Sequence, residues 1–406
     1  MLKVVEISEC FPNKFKPVWG DFILQHVKAL SEYCSVITIV PLRFVPPREI
    51  FAFNPLKLFS NFYKWISDLL STSDFGENNL KVIYFPFFSL PRPYFDSVNK
   101  KFTEFFFYNS IKKKLLSENP DVIYCNWISP WADVASRLAK EFNIPLIIDH
   151  HEDIPTLKKL FPNDHKVILS KFTNANGIIV HSSVNKSDLE NEKIELPEIN
   201  VIYLGQKFPV IDHKKEFNFS ELKLVCISHL SEPRKNIDVL LNAMKDISIK
   251  LNLKLLIGGD GKLKQNYERL SESFSLGKIV TFAGSLSQKS IGEILDKSDI
   301  FILPSFPEAF GVVFLEALAK GLPVITCKGN GGGEELLKLG YPVILAEPNS
   351  AESLADSVLT LAGDKEKMKS MSECGKEIVT RYFSWGKNAQ STYDYILNLT
   401  KIYNAN

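Results

Sequence analysis

Short β-branched runs alternate with amphipathic stretches of helical length along almost the whole chain. Lys3–Ser8, Val36–Val40, Lys81–Tyr84, Val122–Tyr124, Leu146–Ile148, Gly177–Val180 and Asn200–Tyr203 read as strands. Between them, Phe22–Tyr33, Trp131–Phe142 and Val184–Glu192 carry apolar residues at helical spacing. Strand, helix, strand in repetition predicts a parallel sheet with helices on both faces. A polar stretch, Gln206–Glu221, interrupts the pattern with Pro209 and an Asp-His-Lys-Lys-Glu run, and reads as a linker. The alternation restarts at Leu222–Ile227 and continues through Lys254–Ile257, Lys278–Phe282, Asp299–Leu303, Val324–Thr326 and Val343–Leu345. Ser384–Tyr403 places Ala389, Tyr393, Ile396 and Thr400 on one face of a last helix. The expected class is α/β, with two consecutive doubly wound domains: residues 1–205, a linker over 206–221, residues 222–383, and a closing helix over 384–406. Ligands of such sheets sit at the carboxyl ends of the strands, and two domains add a cleft between them.

Composition narrows the function classes. Over 406 residues, 48 Lys and Arg meet 47 Asp and Glu, a formal net charge of +1. A nucleic-acid reader should show a basic excess, and none is present. Cys10, Cys34, Cys125, Cys226, Cys327 and Cys374 are scattered without a C-x-x-C pair, which predicts free thiols in a reducing compartment. The first residues carry Lys3 and Glu6 instead of the apolar core of a signal peptide. No uncharged apolar run approaches the ~18 residues that span a bilayer. The expected location is cytoplasmic. Two stretches of the first half are rich in aromatics. Phe51–Leu70 holds Phe59, Phe62, Tyr63 and Trp65, and Phe85–Leu116 holds Tyr94, Phe102, Phe105, Phe106, Phe107 and Tyr108 beside Lys100, Lys101 and Lys112–Lys114. One reading is a peripheral membrane surface. The commoner alternative is a core-facing helix with a solvated lysine face.

The densest chemistry lies in Asp299-Ile-Phe-Ile-Leu-Pro-Ser-Phe-Pro-Glu308-Ala-Phe-Gly311-Val-Val-Phe-Leu-Glu316. A strand ends at Leu303, a Pro-rich loop carries Glu308, and a helix opens near Gly311. A helix start presents free N–H groups and a positive dipole end, suited to a phosphate. Gly311 lets backbone approach a ligand closely. The bland alternative makes Glu308 a carboxylate favoured by the dipole and Glu316 a solvated side chain. Upstream, Ser228-His229-Leu-Ser-Glu-Pro-Arg234-Lys235-Asn236 again leads from a strand into a helix, and Gly258-Gly259-Asp260-Gly261 follows the next strand. Alone, a loop lysine is usually solvated, and a Gly-rich turn is a weak sign of phosphate binding.

Together these segments resemble glycosyltransferase family 4: Pro-Arg-Lys-Asn, Gly-Gly-Asp-Gly, Glu-Ala-Phe-Gly-x4-Glu, and Ala-x-Gly-x-Pro-Val over residues 319–324. The resemblance is strong over residues 222–335 and weaker elsewhere. In the first half, Phe11-Pro-Asn with Gly20-Asp-Phe looks like the family's first loop and helix. Ile148-Asp-His150-His151-Glu-Asp153 is similar to its His-Gly-x-Asp segment.

The resemblance implies a GT-B fold, two Rossmann-like domains facing across a cleft with the last helix crossing back to the first. It implies a retaining, metal-independent enzyme that uses a nucleotide sugar, UDP- or GDP-linked, with no further cofactor. Lys235 matches the diphosphate-binding lysine, and Glu316 the carboxylate that accepts the ribose hydroxyls. Glu308 and His150 match residues beside the donor sugar. Gly20, His229, Arg234, Gly259, Phe310, Gly311 and Val312 fall on the remaining donor positions. The implied partners are the nucleotide sugar and a glycan or glycolipid acceptor, without nucleic acid.

The chain departs from this pattern at two places. The family's Gly-Arg is here Ser228-His229, and a histidine is only partly charged at neutral pH and forms no bidentate fork. His151 replaces a glycine. The first departure motivates an alternative, a nucleotide-sugar-binding scaffold that has lost turnover. A NAD-dependent oxidoreductase would need Gly-x-Gly-x-x-Gly after a first strand, and neither half begins that way.

Overall fold

The computed structural model describes residues 1–14, 19–44, 54–70, 73–88, 107–129 and 131–405. Its first sheet holds β1 (Lys3–Ile7), β2 (Ser35–Phe44), β3 (Phe75–Glu77), β4 (Leu80–Phe88), β5 (Val122–Asn126), β6 (Leu146–Asp149), β7 (Gly177–Val180) and β8 (Ile199–Val201). Their spatial order is β3-β4-β2-β1-β5-β6-β7-β8. The pairs are parallel apart from the β3–β4 hairpin. The sequence pattern does not announce β3, a three-residue exposed strand closed by an Asn-Asn turn with Asn78 at φ 51.

The second sheet holds β9 (Leu222–Ile227), β10 (Leu253–Gly258), β11 (Val280–Gly284), β12 (Ile300–Ile302), β13 (Val324–Cys327) and β14 (Ile344–Ala346). It is parallel throughout, in the order β11-β10-β9-β12-β13-β14. Each sheet reverses its strand order once, between β1 and β5 and between β9 and β12. Such switch points open a crevice at the carboxyl edge.

Burial on both faces explains the near-continuous apolar strands. Val5, Ile7, Ile37 and Ile123 belong to one core of the first sheet, and Val4, Val36, Val122 and Tyr124 to the opposite one. The last helix, Trp385–Ala405, crosses back to that second layer, where Ala389 and Ile396 pack with Ile23 and Val27. Its Asn388 bonds the His26 ring at 2.7 Å and the Tyr203 carbonyl at 2.8 Å. Gly177 makes room for this helix, because a Cβ there would lie 2.1 Å from the Tyr395 hydroxyl.

Residues 206–221 are strapped to the second sheet's helices and do not hang free as a polar linker. Gln206 N–H donates to Phe383 O and Ile211 N–H to Ala319 O, both at 3.0 Å. Lys215 Nζ donates to Asp296 O at 2.6 Å, and Phe208 is buried. The charges of Asp212 and His213 face solvent while Val210, Phe217 and Phe219 pack on the core. All six cysteines are free. Of the aromatic stretches, Phe107 and Tyr108 are core residues, whereas Leu56, Phe59 and Tyr63 are exposed on the helix Pro55–Leu70. Tyr94, Phe102, Phe105, Phe106, Lys100 and Lys101 lie outside the described residues. No helix among the described residues is long and apolar enough to cross a membrane.

Candidate active site

The loops after β9 and β12 meet at the second sheet's switch point. After β9 the chain makes a short 3-10 turn, Pro233–Lys235, and Asn236 enters the helix Ile237–Lys250 at φ 53. Asn236 Nδ2 donates to Pro304 O at 2.9 Å, and Phe306 N–H to Arg234 O at 2.8 Å. These bonds tie the cationic loop to the loop bearing Glu308. Lys235 Nζ lies 2.5 Å from Glu308 Oε2, and Arg234 lies 3.2 Å from the same oxygen. Burial pushes the Glu308 carboxyl up, but Lys235 and Arg234 outweigh it and hold it below the usual range. Arg234 is further held by Glu232 at 2.5 Å and by Pro307 O at 3.0 Å, so it braces the two loops.

Gly311 caps the helix Val312–Ala319 at φ 78, and Phe310 is buried behind it against Phe383. A Cβ on Gly331 or Gly332 would lie 2.2 Å from Ala309 O or 1.7 Å from Phe310 O. The glycine triplet therefore lets the helix Gly331–Lys338 seat the Glu308 loop, with Gly331 N–H donating to Glu308 O at 2.9 Å. Glu316 is buried, and that burial pushes its carboxyl up to about 7, with Lys207 opposing and Asp21 adding to the rise. Lys207 pairs with Asp21 at 2.8 Å, next to Gly20, the left-handed cap of the helix Asp21–Leu30. His229 is exposed at the end of β9. Gly259 serves loop packing, since a Cβ there would meet Ser228 O at 1.8 Å.

Across the cleft stands the segment after β6. Burial and Asp153 raise the Glu152 carboxyl, while Arg234 of the opposite domain lowers it, which places the two segments face to face. His150 is buried with its ring edge-on to Phe172 at 5.2 Å, and neither ring nitrogen has a partner. Burial lowers it to about 4 despite Asp149. His151 instead stands between Trp127 and His181, at 4.5 and 4.4 Å between ring centres. Asp149 faces His181 Nε2 at 2.9 Å and accepts the Tyr124 hydroxyl at 2.5 Å. Burial lowers His181, but Asp149 and the Ile202 carbonyl outweigh it and raise the ring above its ordinary value. Donor atoms of Asp149, His151 and His181 lie within 4.8 Å of one another, a spacing that could hold a metal ion. The residues are already engaged internally: His181 Nδ1 on Ile202 O at 2.8 Å and His151 Nε2 on Asn126 Oδ1 at 2.9 Å.

The domains touch beside the Glu308 loop. Ser182 Oγ donates to Ala309 O at 3.1 Å. Glu335, fully buried, accepts Ser183 N–H, Ser183 Oγ and the Tyr203 hydroxyl, each at 2.5 Å. Sequence reasoning singled out neither Glu335 nor Lys207, because their roles exist only across the domain interface. Asn126 was equally silent, although a polar residue ending a buried strand was a usable signal.

Two Rossmann-like sheets facing across a cleft, with a last helix returning to the first, define the GT-B class. Sucrose-phosphate synthase from Thermosynechococcus elongatus shares this fold at a TM-score of 0.77 and 18% identity, over 99% of this chain and 100% of that one. The Anabaena protein HepE, in complex with UDP and glucose, shares it at 0.69 and 17%, over 98% and 99%. Residues 210–378 match the family described as Glycosyl transferases group 1. An uncharacterised glycosyltransferase of Methanocaldococcus jannaschii is 30% identical over 276 residues, 68% of this chain and 75% of that protein. The chain belongs to this glycosyltransferase family.

Proposed function

We propose that the protein is a retaining, metal-independent glycosyltransferase that moves a sugar from a UDP- or GDP-linked donor to a hydroxyl of a glycan or glycolipid acceptor. The observation that carries this reading is Lys235 beside the open N-terminus of the Val312–Ala319 helix, at the second sheet's switch point. A departing nucleoside diphosphate concentrates negative charge, and stabilising it is the main electrostatic task. Lys235 and the N–H groups at Gly311 and Val312 meet that charge, and Glu316 accepts the ribose hydroxyls. Glu308 holds a sugar hydroxyl and faces the positive charge developing at the anomeric carbon. The acceptor oxygen bonds to that carbon on the face the diphosphate leaves, and the acceptor proton passes to the departing phosphate oxygen. HepE, crystallised with UDP and glucose, supports a UDP-sugar as the first donor to try. The exposed Leu56, Phe59 and Tyr63 support peripheral membrane contact, as a lipid-linked acceptor requires.

A thermal-shift screen against UDP, GDP, ADP, their sugars and NAD, with and without chelator, tests the reading. A ligand at 100 times its Kd adds about 2.7 kcal/mol of stability. A selective, chelator-insensitive shift with one nucleoside diphosphate is the expected result. No shift with any nucleotide rejects the donor site. Binding without hydrolysis or transfer of the matching nucleotide sugar favours the inactive scaffold.

A further inference from the structure

His151 occupies the place where the resemblance predicts glycine, and its surroundings fix which of its nitrogens carries the proton. Asn126 ends β5 with its Nδ2 donating to Glu6 Oε1 at 2.5 Å, which turns its Oδ1 toward His151. That oxygen only accepts, and it lies 2.9 Å from His151 Nε2, so Nε2 bears the hydrogen and Nδ1 is a lone pair. No described residue donates to that lone pair. Both nitrogens of His150 are sealed from solvent without a partner; the His151 side chain is 6% exposed, and its Nδ1 is not sealed off in that way.

The backbone beside His151 is also unusual. Trp127 adopts φ 64, a region that bulky L-residues rarely enter and that is held only where surrounding structure enforces it. Here its N–H donates to Asp149 O at 2.9 Å. The result is a half-buried indole against the His151 ring, with Phe22 edge-on to both at 6.1 and 5.2 Å. Asn126, Trp127 and His151 sit at the carboxyl edge of β5 and β6, beside the first sheet's switch point, where this sheet type binds ligands. Aromatic walls with a few placed polar atoms make up small-molecule sites.

We propose that His151 Nδ1 accepts a hydrogen bond from the acceptor hydroxyl while Trp127 bears on the apolar face of the acceptor sugar ring. Glu6 and Asn126 are positioning residues that fix the His151 tautomer. This rests on the glycosyltransferase reading, with the acceptor entering from the first domain.

Ring nitrogen shifts of 15N-histidine-labelled protein, with His151 assigned by loss of its signals in His151→Ala, test the tautomer without any substrate. A pyrrole-type Nε2 and a pyridine-type Nδ1 at neutral pH are expected, with exchange between tautomers in Asn126→Leu. A pyrrole-type Nδ1 overturns the proposal whatever the activity. Transfer from UDP-glucose or GDP-mannose to water and to n-octyl β-D-glucopyranoside is the second readout. His151→Ala should lower turnover about tenfold with UDP or GDP affinity held within about twofold, and His151→Gln, which keeps an accepting oxygen, should recover part of it. Unchanged turnover in His151→Ala also overturns the proposal. Failure of the unmodified protein to bind either nucleotide rejects the donor reading and leaves the ring shifts to decide His151 alone.

Discussion

Glu308 and Lys235 neutralise one another across the switch point of the second sheet, carboxylate oxygen to ammonium nitrogen at 2.5 Å. In the proposed role Lys235 meets the diphosphate, so a donor has to draw it away from the internal anion Glu308. Glu308→Gln removes the competitor and should tighten nucleoside diphosphate binding several-fold while lowering turnover. Lys235→Ala should weaken the same binding by about 2 kcal/mol, within the range of charge-assisted hydrogen bonds. Titration calorimetry with UDP and GDP measures both, and equal affinities in the two variants would show the roles are misassigned.

Glu316 carries a pH signature. Burial pushes its folded carboxyl up to about 7, well above an unfolded glutamate at ~4.3. Between those values the folded state holds the extra proton, so this group's contribution to stability falls as pH rises through the window. Glu316→Gln should therefore gain in Tm over the unmodified protein above pH ~7, with the gain shrinking toward pH ~5. Nucleoside diphosphate affinity of the unmodified protein should rise through the same window, because the proposed role of Glu316 is to accept the ribose hydroxyls as an ionised carboxylate. A flat Tm difference between the two proteins across pH contradicts the assignment.

His229 stands exposed where the family pattern has arginine. His229→Arg supplies a permanent charge and a forked donor. Nucleoside diphosphate binding should tighten, as titration calorimetry with UDP and GDP measures. An unchanged affinity would show that His229 does not meet the diphosphate.

Much of this arrangement was legible in the chain because it is local. Period and strand length located thirteen of the fourteen strands among the described residues, and Pro-Arg-Lys-Asn and Glu-x7-Glu located the two loops that meet at the second switch point. Contacts between distant segments were not legible. The spacing that brings Glu308 onto Lys235 says nothing of the Gly331–Gly333 seat beneath it, which becomes visible only when Phe310 O lies where a Gly332 Cβ would stand. Likewise, adjacent histidines look equivalent in sequence. Their side chains leave the strand end in opposite directions, His150 toward Phe172 and His151 toward Trp127.

Glu335 tests how far the first domain sets the geometry of the donor loop. Its buried carboxylate takes all three of its hydrogen bonds from Ser183 and Tyr203 of the other domain. Glu335→Ala strands a half-buried N–H and two half-buried hydroxyls, at up to about 1–3 kcal/mol for each group left unpaired. Tyr203→Phe removes one bond and leaves Ser183 in place, at about 1 kcal/mol. Thermal unfolding should therefore rank the unmodified protein above Tyr203→Phe and that variant above Glu335→Ala. Because Ser182 also bonds Ala309 O, one residue from Glu308, loosening the contact should lower kcat with little change in nucleoside diphosphate affinity. Equal Tm in all three proteins would mean that the domains do not depend on Glu335 for their mutual placement.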